Sequence, residues 1–465
     1  MSIAVLSGPP VPTEPVLPPI GTPAGTSVLR PKRGRRMAAH AAVPTHRAML
    51  PFLRWLAFVL AGNVVAAAHV LASDSSVPSA LTYTVTAASI NIGLAALVRQ
   101  EYIVNVLFRM ATSVPLRWPL RVRSALAQVY QFSGGVHVGC ALSVIGWFTA
   151  FTALTAGGVV TGPKRGPGIV LLAVAGAILA VLGGMAVCAR PTAREQRHNR
   201  YELTHRYGGW LSVVLFAVLT VLMSASSGGS VVAGLASSPG TWIVLAVAVF
   251  VVTPWLQLRH VPMSVVTPSD HVALVTLDRG RRVRPGTASR IARRPLGEWH
   301  AFADMPTSDA YASRMAVSRG GDWTARFIAD RPQSVWLRGV PTAGVVTVAR
   351  LFNRVVWVAT GSGIAPCLPQ LLCDPTPARL VWVTRNPERT YGPELVGEIL
   401  AAQPDAILWD TDSHGQPDLA GLAYSVCRET GAEAVICISN KKTTLRLVAQ
   451  LRQRGMTAVG PIWDS

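Results

Sequence analysis

The sequence predicts a polytopic α-helical membrane domain of six spans, followed by a module that combines a small antiparallel β-barrel with a doubly wound α/β parallel sheet. Three observations predict this fold class. Half of the 465 residues are hydrophobic and only 14% are charged, against roughly 25% charged in an ordinary soluble protein. Six apolar runs are long enough to cross a bilayer. Towards the carboxy terminus, strand-like runs alternate with helix-like stretches.

The amino-terminal residues 1–46 are expected to form a disordered, basic cytoplasmic tail. Eight prolines precede position 32, and a run of Arg and Lys follows them between Arg30 and Arg36. The segment has no apolar core of the kind that a signal peptide needs.

A six-span transmembrane domain is expected over residues 47–258. Arg-rich links alternate with links that are poor in Lys and Arg, so the positive-inside rule places both termini in the cytoplasm. The net charge of +20 lies mostly in the tail and these links, which favours the lipid bilayer as a partner and excludes nucleic acid. The richness in Ala, Arg and Val suggests the cell membrane of a high-GC bacterium. The predicted spans are 51–72, 78–98, 134–155, 168–189, 207–225 and 240–257.

A basic and apolar stretch at 116–133 precedes the third span. Arg alternates there with Leu, Val and Trp at helical spacing, which fits a helix on the inner membrane surface, and an ordinary basic loop fits equally well.

The composition changes after the last span. Residues 259–350 hold short alternating runs that indicate the strands of a small barrel or antiparallel sheet, among them HVALVTL, ASRIAR, SRMAVS and SVWLRGV. Residues 351–465 hold five strand-like runs that alternate with helix-like stretches, which indicates a parallel sheet.

A glycine-rich turn follows the buried strand 355–359. Glycines at this place let backbone N–H groups approach a pyrophosphate, and the helix that follows presents its favourable dipole end. The turn is therefore a predicted nucleotide site. Its candidate residues are Thr360, Gly361, Ser362, Gly363, Ile364 and Pro366.

Three motifs together resemble the ferredoxin reductase superfamily. The T-G-S-G-I-A-P turn resembles the superfamily's G-x-G-I-x-P turn, and H-A-F-A at 300–303 and G-D-W-T at 321–324 look like the H-P-F-[ST] and G-D-W-T motifs of ferric reductases and NADPH oxidases. Over most of residues 50–465 the chain looks most like the TmpA-type integral membrane proteins. That likeness rests on TGSGIAPCLPQLL, RNPERTYG, ISN at 438–440 and the terminal GPIWDS.

The resemblance implies an FAD site in residues 259–350. The H-P-F-[ST] strand lies along the isoalloxazine ring in that family, and the G-D-W-T turn binds the pyrophosphate. Ala301 and Ala303 depart from the motif, and a simple barrel strand is the alternative interpretation. The implied FAD-binding residues are His300, Phe302, Ala303, Gly321, Thr324 and Trp463, the last as an aromatic over the flavin.

The same resemblance implies an NAD(P)-binding domain at 351–465. Arg385 and Arg389 follow the second parallel strand, where they would bind a 2′-phosphate or would simply be solvated. Cys437 stands where relatives carry a cysteine near the nicotinamide, although a buried core cysteine is an equally open interpretation. No catalytic residue is assigned.

Haem is the remaining cofactor question. Ferric reductases hold two haems with histidines of the third and fifth spans, and here His137 and His205 would form one inner pair, as ligands of one haem b or as interfacial residues. Gly135 and Gly139 leave one helix face bare for a porphyrin or a neighbouring helix. The outer pair is missing, so the electron path is expected to end on the cytoplasmic side or inside the bilayer.

The function predicted is an NAD(P)H-dependent FAD oxidoreductase of the membrane. Electrons would pass from NAD(P)H through FAD to a small-molecule or protein acceptor at or within the cytoplasmic side. A non-catalytic membrane sensor with a nucleotide-binding domain is the alternative. A transporter is disfavoured by the few buried charges and the lack of an internal repeat.

Overall fold

The computed structural model describes residues 51–73, 76–161, 165–280, 282, 284–307, 309, 311–373 and 376–461. The predicted tail 1–46 and Trp463 lie outside the described residues.

Helices make up the first half of the described chain. In order they are α1 (Pro51–Ala72), α2 (Val77–Leu97), α3 (Glu101–Thr112), α4 (Leu120–Leu126), α5 (Val129–Thr161), α6 (Arg165–Cys188), α7 (Pro191–Gln196), α8 (His198–Ser226), α9 (Val231–Ser237) and α10 (Pro239–Leu256).

Within the described residues, six helices are long and apolar enough to cross a membrane, namely α1, α2, α5, α6, α8 and α10. They match the six predicted runs. The third begins five residues earlier than predicted and the fifth nine residues earlier, at Val129 and His198, because polar residues with adequate helix propensity extend each helix beyond its apolar run. Aromatic side chains pack between the helices, with Phe148, Phe151 and Phe216 buried in one cluster.

The bare face of α5 contacts a neighbouring helix. A Cβ at Gly135 would lie 2.5 Å from the Phe52 backbone oxygen, and one at Gly139 would lie 2.9 Å from Val59 Cβ. The small-xxx-small spacing therefore lets α1 pack closely on α5. The sequence left a porphyrin or a neighbouring helix as alternatives for this face, and in the structure the neighbouring helix α1 occupies it.

The stretch 116–133 is not one helix. Pro119 is the N-cap of the short α4, and the third apolar helix already begins at Val129. The structure also has α3, which the sequence analysis did not predict.

The second part of the chain begins with an antiparallel sheet of order β4-β3-β7-β1-β2-β6-β5. Among the described residues β4 and β5 are its edges, so the predicted barrel is an open half-barrel. The elements are β1 (Arg259–Val266), β2 (Val272–Asp278), β3 (Thr287–Ala292), β4 (His300–Ala303), β5 (Met305–Pro306), β6 (Ala312–Ser318), α11 (Asp322–Asp330) and β7 (Ser334–Ala343).

The last part is a parallel sheet of order β10-β9-β8-β11-β12, which confirms the predicted doubly wound arrangement. Its strands are β8 (Val355–Thr360), β9 (Ala378–Thr384), β10 (Ile407–Asp410), β11 (Ala434–Ile438) and β12 (Thr457–Val459). Its helices are α12 (Ile364–Cys373), α13 (Pro387–Tyr391), α14 (Pro393–Ala402), α15 (Thr411–His414), α16 (Leu419–Thr430) and α17 (Lys441–Gln453).

Helix α3 contacts the antiparallel sheet through polar side chains. The Glu101 carboxylate accepts from the Arg290 guanidinium at 2.6 Å and from the Val340 N–H at 2.8 Å. Asn105 donates to the Pro341 carbonyl and accepts from the Ala343 N–H. The link between the second and third apolar helices is thereby fixed to β7.

Candidate functional site

A cleft of about 1440 Å³ opens at the carboxyl ends of the parallel strands. In the strand order, β8 and β11 are neighbours although chain connections leave them in opposite directions, which makes this edge the topological switch point where open α/β sheets bind ligands. Most of the predicted nucleotide residues line the cleft, namely Thr360, Gly361, Ser362, Gly363, Pro366, Arg385 and Arg389. Ile364 is buried at the start of α12 and does not line it.

The turn needs glycine at two positions, at Gly361 for its backbone conformation and at Gly363 for close packing. Gly361 has φ +50°, in the left-handed region that favours glycine. A Cβ at Gly363 would overlap the Ile438 carbonyl oxygen at the end of β11. The Gly361 carbonyl accepts from the Trp382 indole N–H at 3.1 Å. Hydrogen bonding and close packing thus hold the turn at the amino-terminal end of α12.

Cations line the outer part of the cleft. Arg385 pairs with Asp412, with Nε and Oδ1 3.1 Å apart. Arg389 lines the same wall, and Lys442 and Arg446 reach it from α17. Sequence reasoning missed these last two. They follow directly after the fourth parallel strand, whose carboxyl end borders the switch point, so their position was the available signal.

The antiparallel sheet contributes to the cleft as well. His271, at the start of β2, lines the cleft beside Tyr391, with their rings 5.9 Å apart at 86°. Ser269 donates to the Thr390 carbonyl. Burial raises the pKa of Tyr391 to about 12, so its phenol keeps its proton at neutral pH.

Cys437 lies outside the cleft. Its side chain is buried between the parallel sheet and the helices on one of its faces, and Sγ lies 3.9 Å from Thr444 Oγ1. Burial raises its pKa to about 12, which leaves an unreactive thiol. Of the two interpretations kept for this cysteine, the structure has the buried core residue.

The H-A-F-A segment is the edge strand β4, so one side of its backbone is unpaired within the described sheet. His300 and Phe302 share a face of the strand. Trp323 lies against both, with its ring 4.2 Å from that of His300 and 6.2 Å from that of Phe302. Ala303 pairs with Ala288 of β3.

His300 leaves a buried polar atom without a hydrogen bond. Its Nε2 lies 3.5 Å from Glu298 Oε2 but makes no hydrogen bond. Burial lowers the pKa of His300, and Glu298 opposes that shift. A buried donor or acceptor of this kind needs a partner. A flavin edge along β4 would supply one, so these residues fit FAD.

The G-D-W-T turn caps helix α11. The Thr324 hydroxyl accepts from the Gly320 and Gly321 N–H groups at 2.9 and 3.1 Å and donates to the Gly321 carbonyl. These contacts order the turn and leave the first N–H groups of α11 for an anion. The hydroxyl itself is engaged within the turn.

The two predicted sites adjoin each other. Helix α12, which begins at the glycine turn, packs against β4, β5 and β6. Since α12 starts at the nucleotide turn and touches the H-A-F-A strand, a nicotinamide and a flavin bound at the two sites would lie on neighbouring elements.

His137 of α5 and His205 of α8 face each other. Their ring centroids are 6.0 Å apart at 65°. His137 Nδ1 lies 2.9 Å from the Ala95 carbonyl oxygen, which directs Nε2 away from α2. Tyr201 lies 5.4 Å from His205. The structure therefore brings the two predicted haem ligands together.

Two curated proteins are similar to this chain over most of its length. They are adenylate-forming reductase 06235 and adenylate-forming reductase 03009, both of Coprinopsis cinerea, each 37% identical to it over 378 and 380 residues respectively. These matches cover 81% of the chain and 36% of each relative. The chain therefore spans about a third of the length of the curated relatives it matches.

Residues 345–465 match one family model. Its description is adenylate-forming reductase 03009, C-terminal domain, and the matched residues comprise the parallel sheet and its helices.

Two solved structures are also similar to part of the chain. A ferredoxin NADP⁺ reductase from Neisseria gonorrhoeae with bound FAD and NADP is 14% identical, with a TM-score of 0.35, over 44% of this chain and 98% of that one. The Amycolatopsis cytochrome P450 reductase GcoB is 13% identical, with a TM-score of 0.34, over 45% of this chain and 71% of that one.

Proposed function

We propose that this chain is an integral membrane flavo-oxidoreductase that passes electrons from NAD(P)H through FAD to an acceptor at or within the cytoplasmic side of the membrane. One observation carries the proposal. The helix that begins at the glycine turn packs on the H-A-F-A strand, so the two cofactor sites adjoin, as hydride transfer requires.

Membrane insertion rests on the six long apolar helices. The Arg-rich links between them support a cytoplasmic location of both termini and the two sheets, by the positive-inside rule. The ferric reductase and TmpA-type likeness of the motifs supports the same arrangement.

The residues of the chain have separate roles in this function. The glycine turn and the cations of the cleft bind the nucleotide, and β4 with the first turn of α11 binds FAD. FAD held by these residues would supply the chemistry of accepting a hydride from NAD(P)H and releasing electrons singly or in pairs. Trp323 and Phe302 shield this side of β4 from water. The imidazole of His300, in its neutral form, offers one hydrogen bond to the flavin.

Haem b is a further cofactor of the proposal. His137 and His205, whose ring centroids are 6.0 Å apart, are the residues that would hold the iron of a haem b, and the haem would supply one-electron transfer there. The Ala95 carbonyl fixes the orientation of His137, as second-shell groups do for metal-bound histidines.

The reductase name of the curated relatives supports an oxidoreductase. Because the chain spans about a third of each relative, its acceptor is proposed from the site alone, as a small molecule or a protein.

The test is an absorbance spectrum of the full chain purified in detergent, recorded anaerobically before and after NADPH. We expect a flavin band that bleaches on addition of NADPH. Absence of a flavin band from protein that still binds NADPH would contradict the oxidoreductase.

The haem is tested in the same preparation. A Soret band is expected, and His137→Ala or His205→Ala should abolish it while the flavin band persists. A Soret band that survives either substitution rules out this pair as the ligands.

A non-catalytic membrane sensor is the second candidate. Ala303 stands where a hydroxyl would bond the flavin, and the Thr324 hydroxyl is engaged within its own turn. A sensor predicts NADPH binding without bleaching, together with a change in protease susceptibility of the cytoplasmic module on binding.

A further inference from the structure

The segment between the second and third apolar helices has two contrasting faces. This inter-span segment, residues 98–128, contains α3 and α4. Seven of its large apolar side chains are between 38% and 66% exposed. They are Tyr102, Val106, Met110, Leu116, Trp118, Leu120 and Val122.

The inner face of the inter-span segment packs on both sheets. Phe108 is buried in the cluster that includes residues of the parallel sheet. Glu101 binds the antiparallel sheet, and Arg123 binds Glu433 at the start of β11. Tyr130, just beyond the segment, donates to the Gly460 carbonyl at 2.6 Å. The inner face is therefore engaged in contacts within the chain.

The outer face has the pattern of a membrane-surface helix. Tyr102, Val106 and Met110 follow each other at intervals of four residues, which aligns them along one side of α3. Arg109, Arg117 and Arg121 are exposed among the apolar side chains of this face. Apolar side chains interspersed with Arg on an exposed face are typical of helices that lie at the lipid headgroups.

The position of the segment matches that pattern. It starts directly after α2 ends at Leu97 and finishes where α5 begins at Val129. If both helices cross the bilayer, both ends of the segment lie at the same membrane surface. An exposed apolar patch of this kind indicates an interaction site.

We propose that the outer face of the inter-span segment binds the cytoplasmic leaflet, with its apolar side chains among the upper acyl chains and its three arginines on anionic phospholipid headgroups. The occupant is lipid because the face is continuous with two spans and because its charge complements an anionic leaflet. The proposal rests on the membrane insertion in the proposed function. The same segment would then contact lipid on one face and the reductase module on the other.

The test places a fluorescent label on each kind of surface. Cys188 and Cys373 are the cysteines that are not buried, so Cys188→Ser and Cys373→Ser give a background in which Met110→Cys is labelled with an NBD dye. Leu400→Cys, at a side chain of α14 that is 36% exposed, is the matched control. The full chain is reconstituted in nanodiscs of phosphatidylcholine and phosphatidylglycerol, with doxyl-labelled lipid or aqueous iodide as the quencher.

Doxyl lipid should quench the label at position 110 by about half or more, as expected for a dye within the headgroup and upper acyl region, and iodide should have little effect. The reverse is expected at position 400. Quenching at 110 by iodide alone means a solvated face, and protection from both quenchers means coverage by a protein or a second copy. Either result overturns the proposal.

A second variant tests the charge. The triple substitution Arg109→Gln, Arg117→Gln and Arg121→Gln should reduce the preference of the protein for spin-labelled phosphatidylglycerol over phosphatidylcholine, and Arg428→Gln should leave it unchanged. An unchanged preference in the triple variant overturns the role of the arginines. NADPH bleaching of flavin is recorded on the same samples. Its loss with intact lipid quenching would sink the proposed oxidoreductase and leave this surface standing.

Discussion

Arg123 and Glu433 form a two-pronged ion pair between α4 and the parallel sheet. Nη1 lies 2.8 Å from Oε2, and Nη2 lies 3.1 Å from Oε1. The Arg123 side chain is 5% exposed and that of Glu433 is 23% exposed. Arg123 also donates to the carbonyls of Leu351 and Trp118. One guanidinium therefore joins the inter-span segment to the parallel sheet.

Removal of the Glu433 charge should destabilise this junction. Glu433→Gln leaves a buried guanidinium with a neutral partner, and loss of one member of such a pair costs about 3 kcal/mol or more. We expect a lower melting temperature in detergent. The coupling is measured by a double-mutant cycle with Arg123→Gln. Strictly additive single effects would show that the two side chains do not interact.

The same pair makes stability depend on pH. Hydrogen bonds from Arg123 lower the pKa of Glu433 from 4.5 to about 2. Because the folded-state pKa is depressed, this contribution is complete above about pH 4.5 and is lost as the pH falls towards 2, by roughly 3 kcal/mol in all. The melting temperature of the wild type should fall more between pH 5 and pH 3 than that of Glu433→Gln. Parallel curves would contradict this assignment.

Gly363→Ala should abolish nucleotide binding. Its Cβ would overlap the Ile438 carbonyl oxygen, which is backbone at the end of a central strand and has little freedom to shift. NADPH affinity is measured by fluorescence titration. Gly397→Ala is the control, since nothing lies within 4 Å of a Cβ there and alanine favours the helix interior. Equal NADPH affinity in both variants would contradict a nucleotide turn at this place.

Arg389→Ala should weaken NADPH binding more than NADH binding. A hydrogen bond to a charged group is worth about 1.5–3 kcal/mol, which corresponds to about a 10- to 100-fold loss in affinity. Arg385→Ala should have a smaller effect, because Arg385 already pairs with Asp412. Dissociation constants for both nucleotides decide the matter. Equal losses of affinity for NADH and NADPH would show that Arg389 does not bind the 2′-phosphate.

Thr324→Ala should weaken flavin retention. The substitution removes the hydroxyl that accepts from the Gly320 and Gly321 N–H groups at the start of α11, a loss of about 1 kcal/mol at the turn expected to bind the flavin pyrophosphate. Thr324→Ser keeps the hydroxyl and should restore binding. The flavin content per protein after gel filtration is the measurement, and identical contents in the two variants would place the pyrophosphate elsewhere.

The sequence predicted the helices and the parallel sheet because their patterns are local. Apolar runs marked the six long helices, and the buried strand predicted at 355–359 ends one residue later, at Thr360. The antiparallel strands were predicted from their alternating pattern, whereas the open half-barrel they form was not, since closure depends on pairing between strands distant in sequence. Helix α3 was missed because Glu101 and Arg109 obscure its short apolar face.

Only those site residues that belong to a recognisable motif were predicted from the sequence. The glycine turn lines the cleft as expected, whereas Cys437 faces the core, because the two faces of a central strand look alike in a sequence. Lys442 and Arg446 line the cleft from α17. They belong to no motif, so the sequence did not predict them as site residues. The roles implied for His300, Phe302 and Ala303 stay predictions.

The contacts of Glu101, Asn105 and Arg123 have a kinetic consequence. They attach both sheets to the link between two apolar helices, so in the proposed function the nucleotide and the flavin would keep a constant distance from the bilayer. Electron transfer from the nucleotide to the flavin within the chain would then be an intramolecular step. Its rate would not depend on the concentration of the protein in the membrane. The slow, concentration-dependent event would then be the arrival of the acceptor.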